Sequence, residues 1–267
     1  MTQINSELIS TPSRKGNNES TNNSMDVLDL TYSPCVNINI SKAPESMEDL
    51  KIILKDVFET FQAKPKQLII EKFCIDMTKE ILARLRTGEL LNDEIINFYC
   101  WMLADYDYKM CNGLPHRQRS YFFHTFFIQR LYIDQGYKYE NVKRWTKREY
   151  SILKFGKIFI PINIKNRHWT LAIVFVPVKE IKYFDSLKGT KTVATGHKFL
   201  EAILKWLEEE SQKENIAIGD AFGSSTDWKL IIEEETPQQE NGFDCGCFVI
   251  NIMDLYTRDL KLNFSAS

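Results

Sequence analysis

From about residue 46 onward, apolar side chains recur at regular intervals; before it they do not. Leu50, Ile53, Leu54, Val57, Phe58 and Phe61 repeat at the spacing of one helical face and predict an amphipathic helix over 47–61. A shorter helix is expected over Met77–Arg86. Asn92 is placed to cap a third, whose Ile95, Ile96, Tyr99, Met102 and Leu103 share a face. Residues 121–135, rich in aromatics, read as helical. The pattern then becomes strand-like, with apolar and β-branched runs at 157–162, 168–176 and 181–185. A helix over 193–212, a strand over 227–233 and a helix from Cys245 to Tyr256 complete the series. Helices first and a compact sheet with flanking helices afterwards is an α+β order.

Residues 1–45 are different. Thr11–Ser24 is polar and Asn/Ser-rich, too poor in apolar surface to offset the entropy of ordering, and predicts a disordered tail ahead of a domain over 46–267. Within it, Val36–Ile40 alternates and could pair with a sheet edge or a partner, and the sequons at Asn18, Asn22 and Asn39 read as chance products of composition.

At 267 residues, 43% of them hydrophobic, the chain can build one full-sized domain or at most two. A net charge of −2 sets up no basic field, which argues against nucleic acid as a partner. Apolar runs such as Leu171–Val178 are too short to span a bilayer. No signal peptide opens the chain, and the six cysteines at 35, 74, 100, 111, 245 and 247 form neither a disulfide framework nor a Cys-x-x-Cys, so reduced thiols are expected. His116, His124 and His197 lack a second ligand at metal spacing, and Cys245-x-Cys247 is too tight to chelate zinc. Neither a metal nor another cofactor is predicted. The basic run Lys143–Arg148, with Trp145 inside it, reads either as a nuclear-localisation or nucleic-acid patch or as a solvated face.

The candidate chemistry lies where polar turns meet apolar elements. Pro237-Gln-Gln-Glu-Asn-Gly-Phe-Asp-Cys245-Gly-Cys puts Cys245 after an Asn-Gly turn and in the first turn of an apolar helix, where unpaired N–H groups and the helix dipole favour a thiolate. His168 opens one strand, Asp185 closes the next, and a hairpin brings them side by side as base and orienter. A thiol, an imidazole and a carboxylate are the set a cysteine protease requires. Gln239, six residues before Cys245, can offer its amide N–H beside the Cys245 backbone N–H as an oxyanion donor.

At these residues the chain resembles the Ulp/SENP family of SUMO-specific cysteine proteases, in which His, Asp, Gln and Cys follow in this order and with these spacings. The resemblance runs over roughly residues 70–264 and includes His168-Trp169, Asp185-Ser186, residues 237–246, Leu91–Tyr99, and Gly136-Tyr137 with Val142–Lys147. The last block points to the SUMO branch and to a structural or substrate-facing role for the basic run.

The resemblance implies a papain-like fold: a small mixed sheet, a helical N-terminal part, and the nucleophile at the start of a buried helix. It implies cleavage after the Gly-Gly of SUMO, acting as a monomer on the SUMO precursor and on SUMO-conjugated proteins, in an intracellular setting such as the nucleus, the nuclear envelope or the cytoplasm. Alternatives are a protease for another ubiquitin-like modifier, a same-clan acyltransferase, or a SUMO-binding protein with impaired catalysis. Trp169 and residue 90 are expected to flank the modifier's tail, and Asp93 to pair with a basic residue on its body. Position 90 departs from the family: Leu90 stands where Trp is usual, giving up flat aromatic contact. Family members also continue past Phe264 into a closing helix, so the domain over 46–267 is expected to be truncated at its C-terminus.

Overall fold

The computed structural model describes residues 46–264 apart from 115, 134–135, 147–150, 188, 214–221 and 263. The expected tail over 1–45, including Val36–Ile40, and the end of the basic run at Lys147-Arg148 lie outside the described residues.

Helix α1 (Met47–Thr60) begins where the Ser46 hydroxyl accepts the Asp49 N–H. The expected helix over 77–86 is largely replaced. Leu68–Lys72 (β1) and Ile75–Thr78 (β2) form an antiparallel hairpin, and only Lys79–Leu82 (α2) with a 3-10 turn over Ala83–Leu85 is helical. Met77 and Thr78 are taken up by pairing with Ile70 and Leu68. Helix α3 (Asp93–Gly113) is capped by Asn92, whose side chain accepts the Ile95 N–H at 3.2 Å.

The aromatic stretch at 121–135 is mostly not helical. Ser120–Phe122 is strand β3, Phe126–Leu131 alone is helix α4, and Tyr132–Ile133 (β4) pairs with Gly136–Tyr137 (β5). Tyr121 and Phe123 enter one core and Phe122 the other, a period-2 alternation hidden in a sequence apolar on both faces.

Lys157–Ile164 (β6), His168–Phe175 (β7), Glu180–Phe184 (β8) and Lys229–Ile232 (β9) join β3 in a five-stranded mixed sheet of order β3-β6-β7-β8-β9. The central pairs, β6–β7 and β7–β8, are antiparallel, and the two outer pairs are parallel. Alternation along β7 divides the interior. Trp169, Leu171 and Ile173 face a core shared with α3 and the last helix, α6 (Cys245–Thr257), while Ala172 and Val174 face a core shared with α4 and α5 (Thr190–Lys213). Helix α5 carries Gly196 against the sheet, where an added Cβ would stand 2.7 Å from the Tyr183 ring and 2.9 Å from Ile232. The cost of a mid-helix glycine, about 1 kcal/mol against alanine, is accepted for that close approach.

Two buried charged networks fasten the layers. Glu210, on α5, accepts from the Tyr139 hydroxyl at 2.8 Å and from the Thr146 hydroxyl, and Lys213 donates to Thr146 Oγ1 at 3.0 Å and to the Lys143 carbonyl at 2.6 Å. With Val142 and Thr146 also buried, the described part of the basic block is anchored to α5, though Arg144 remains exposed. The second network holds the C-terminal end of α6. Arg117 pairs with Asp107 at 2.6 Å and Asp259 at 3.1 Å and donates to the Thr257 carbonyl, while Lys157 donates to the Tyr256 carbonyl at 2.6 Å. Cations at the last carbonyls complement the negative end of the helix dipole. Asp107 also accepts the Ser120 N–H at 2.7 Å and hydroxyl at 3.0 Å, tying α3 to the sheet edge.

Asp107 is 1% exposed, so replacing it strands a guanidinium and a backbone N–H. Asp107→Ala is expected to lower unfolding free energy by about 3–5 kcal/mol, measured by urea denaturation. Lys109→Ala, which breaks the exposed pair with Asp105, should cost no more than about 1 kcal/mol.

Candidate active site

His168 is the first residue of β7. The chain reaches it through a tight turn in which Lys165 and Asn166 adopt left-handed φ of 53° and 55° and the Arg167 N–H donates to the Ile164 carbonyl at 3.1 Å. Asp185 directly follows β8, and the β7–β8 register brings it to the same end of the sheet. His168 Nε2 and Asp185 Oδ1 are 2.7 Å apart. Asp185 Oδ1 also accepts the Leu187 N–H at 2.9 Å.

Cys245 is the first residue of α6 and reaches the same point from the other side of the sheet end. The preceding loop is shaped by Asn241, whose Oδ1 accepts the Phe243 and Asp244 N–H groups, both at 3.0 Å, and whose Nδ2 donates to Asp244 Oδ2 at 2.7 Å. This side-chain-built turn is the physical content of the Asn-Gly signal. Gly246 lets the helix start lie against Leu91: a Cβ there would be 2.8 Å from the Leu91 Cβ. The Cys245 side chain is close enough to the His168 ring to act on its proton affinity.

Burial alone pulls the His168 pKa down, but the hydrogen bonds from Asp185 and Cys245 and the charges of both outweigh it and raise the pKa from 6.5 to about 9. The imidazole therefore holds a proton through neutral pH. A protonated ring between a thiol sulfur and a carboxylate can stabilise a thiolate and later protonate a leaving amine.

Gln239 is buried in the Cys245 loop. Its Oε1 accepts the Ser186 hydroxyl at 2.7 Å, its backbone N–H donates to the Ser186 carbonyl at 2.9 Å, and its Nε2 donates to the Asn241 carbonyl at 2.6 Å. Gln238 Nε2 donates to the Asp185 carbonyl at 3.0 Å and the Thr236 carbonyl at 2.9 Å. The Asp-Ser and Gln-Gln pairs thus stitch the end of β8 to the loop that delivers Cys245. Gln238, Ser186 and Asn241 had no assigned part in the sequence reading, although each lies inside a quoted motif. Their adjacency to Asp185 and Gln239 was the available signal.

Trp169 is buried at the start of β7. It is 2% exposed, and its indole N–H donates to the Leu91 carbonyl at 2.7 Å. The reason is its parity on β7, which turns it into the core with Leu171 and Ile173. Leu90 is half-buried against the same core. Asp93 opens α3 near Thr125; burial, ahead of the Glu94 charge, raises its pKa against the lowering influence of Thr125, and Oδ1 is buried without a partner. His124 accompanies Asn97 at 2.8 Å, apart from the His168–Asp185 pair, with its pKa pushed down to about 4 by burial. Among the described residues no group of acidic, His or Cys side chains could hold a metal, and no disulfide joins Cys100, Cys111, Cys245 or Cys247.

Residues 89–266 match the family described as Ulp1 protease family, C-terminal catalytic domain. The chain belongs to the Ulp1 protease family. Among the family's relatives, ubiquitin-like-specific protease ESD4 of Arabidopsis thaliana is 32% identical over 217 residues, covering 79% of this chain and 42% of that protein. Human sentrin-specific protease 2 is 32% identical over 225 residues, covering 83% of this chain and 34% of that protein. The chain thus spans less than half the length of either relative. A solved structure of the C-terminal Ulp1 protease domain in complex with SMT3, the yeast orthologue of SUMO, is 30% identical with a TM-score of 0.65, covering 84% of this chain and 90% of that one. The α+β order and the helical N-terminal part are those of the Ulp1 fold.

Because its folded pKa lies above 6.5, His168 contributes stability that is fully present below pH 6.5 and is lost as pH rises through about 9. In an NMR titration of 15N-histidine-labelled protein, the His168 midpoint is expected near pH 9 and should move toward 6.5 in Asp185→Asn. An unchanged midpoint in that variant would show that Asp185 does not set the proton affinity.

Proposed function

We propose that this chain is a cysteine endopeptidase and isopeptidase that cleaves after the C-terminal Gly-Gly of SUMO, both in the precursor and in conjugates on target lysines. The observation that carries this reading is His168 hydrogen-bonded to Asp185, with Cys245 at the start of α6 near enough to act on the same ring, in a chain of the Ulp1 protease family.

In the proposed reaction, Cys245 Sγ attacks the carbonyl carbon of the terminal glycine while His168 holds the thiol proton. His168 then delivers that proton to the departing lysine amine, leaving a thioester that water hydrolyses with the imidazole as base. Asp185 keeps the ring oriented and balances its charge. The developing oxyanion is met by the Cys245 backbone N–H and by the Gln239 Nε2 hydrogen not given to Asn241. Cys245 is 1% exposed, which favours a thin, side-chain-free tail as the only chain able to reach it. Leu90 and Trp169 are proposed to flank the path of the tail to Cys245, with the Trp169 indole anchored on the Leu91 carbonyl. Asp93, its carboxylate only partly satisfied, is suited to a cation on the body of the modifier.

The domain is proposed to occupy 46–267, preceded by a tail over 1–45. An intracellular setting is proposed on the reduced-thiol chemistry, and the nucleus or nuclear envelope, with the cytoplasm as the alternative, on the family membership. Among the described residues no helix is long and apolar enough to cross a membrane.

The test is reaction with SUMO and with ubiquitin bearing C-terminal electrophilic traps. SUMO is expected to give a covalent adduct and ubiquitin none. Cys245→Ser should abolish the adduct while Cys247→Ser, at an exposed position two residues further along α6, keeps it. An adduct with ubiquitin alone would overturn the substrate, and equal loss in both serine variants, each folded, would overturn the nucleophile.

A further inference from the structure

Behind the His168–Asp185 pair, three buried side-chain atoms have no hydrogen-bond partner: Thr170 Oγ1, Tyr183 OH and Asp185 Oδ2. They belong together. Leu171 pairs with Phe184 and Ala172 with Tyr183 across β7–β8, so one further step sets Thr170 opposite Asp185, with Tyr183 diagonal to Thr170 on the same face. Tyr183 is within hydrogen-bonding influence of Thr170 and feels the charge of Asp185. Burial first, and then that charge, push its phenol pKa up, so it keeps its proton. Its ring is held flat by Gly196 of α5, where any Cβ would collide with it.

The register, with Thr170 directly opposite Asp185 and Tyr183 diagonal, favours one order of donors and acceptors. Each hydroxyl can donate once and accept, whereas the carboxylate oxygen can only accept. Leaving all three unpaired in the interior is costly, and most so for the charged oxygen. We propose that Thr170 and Tyr183 are positioning residues for the reaction: a side-chain adjustment closes the three unpartnered atoms into a relay in which Tyr183 O–H donates to Thr170 Oγ1 and Thr170 O–H donates to Asp185 Oδ2, locking the carboxylate that orients His168. The role rests on the catalytic reading of His168, Asp185 and Cys245. Oδ1 is already held by His168 and the Leu187 N–H. With Oδ2 held as well, the carboxylate cannot swing about its Cα–Cβ bond, and the imidazolium keeps its full share of the charge.

The groups facing this pair are few. Cys245 faces His168 from α6, Tyr183 faces Asp185 from β8, and α5 presents Gly196 there. Asp244 acts on Cys247 next to the nucleophile, and Lys165 and Arg167 are exposed in the turn before His168.

The experiment uses the full chain and two measurements that need no modifier: the His168 NMR midpoint, and the pH dependence of Cys245 alkylation by iodoacetate, an anion that reacts fast while the imidazolium is present. Thr170→Val removes the hydroxyl at nearly constant volume. It is expected to lower the His168 midpoint by about one pH unit, the scale of one lost hydrogen bond to a charge, and to draw the alkaline limb of alkylation down with it. Thr170→Ser should restore both. Tyr183→Phe should produce a smaller shift in the same direction and add little in the Thr170→Val background, because it acts through Thr170. Wild-type midpoints and alkylation profiles in both Thr170→Val and Tyr183→Phe overturn the relay, as does a Thr170→Ser variant that loses as much as Thr170→Val. Since neither measurement uses SUMO, a failed relay is distinguishable from a failed substrate assignment, which the electrophilic traps read.

Discussion

A buried imidazole would ordinarily surrender its proton, and the site depends on that tendency being reversed. Burial pulls the His168 pKa down; the Asp185 carboxylate and the Cys245 side chain overcome it and raise it to about 9. The opposite outcome is visible in the same protein. His124, buried beside Asn97 and Thr125 with no charged partner on its ring, has its pKa pushed down to about 4. Two imidazoles, both largely removed from water, differ because one has a carboxylate 2.7 Å away. For a chemistry that needs a proton held at neutral pH and then released to an amine, only the first environment serves.

Much of the architecture can be read as the means of holding that contact. The β7–β8 register sets His168 and Asp185 at one sheet end, and α6 brings its first residue to the same place. Gly246 admits the close packing of Leu91, whose carbonyl is held by the Trp169 indole. Ser186 and Gln239 bind the Asp185 segment to the Cys245 loop. At the far end of α6, Arg117 and Lys157 hold the last carbonyls. Both ends of the helix are therefore fastened to the sheet that carries His168, which is how rigid elements preserve a geometry that tolerates little displacement.

The parts legible in the sequence were those with one dominant local cause. The helix over 47–61 has an apolar face and a serine cap, the strand pattern at 157–185 is strongly apolar and β-branched, and Asn92 caps α3 as its position implied. The β1–β2 hairpin was missed because its turn, Phe73-Cys74, adopts left-handed φ of 58° and 56° without the glycine or asparagine that usually signals such a turn. Docking of Phe73 against Phe98 and Trp101, a tertiary contact, accompanies that backbone. The stretch at 121–135 misled because residues buried on both faces carry no polar alternation to reveal a strand. Within the site, the residue types and their order were readable, whereas the direction in which Trp169 faces was not. It follows from strand parity combined with which layer lies on which face. Thr170 and Tyr183 carried no signal at all, since a threonine and a tyrosine in strands are ordinary until the register sets them behind Asp185.

The central claim is that Cys245 and His168 act as one unit. The direct measurement is single-turnover cleavage of a SUMO precursor by Cys245→Ser, His168→Ala and the double variant, with folding verified for each. Residues that act together lose nearly all of their effect when either is removed. The account predicts that all three variants fall to the same residual rate. A His168→Ala rate close to wild type, or losses in the two single variants that add in the double, would contradict it.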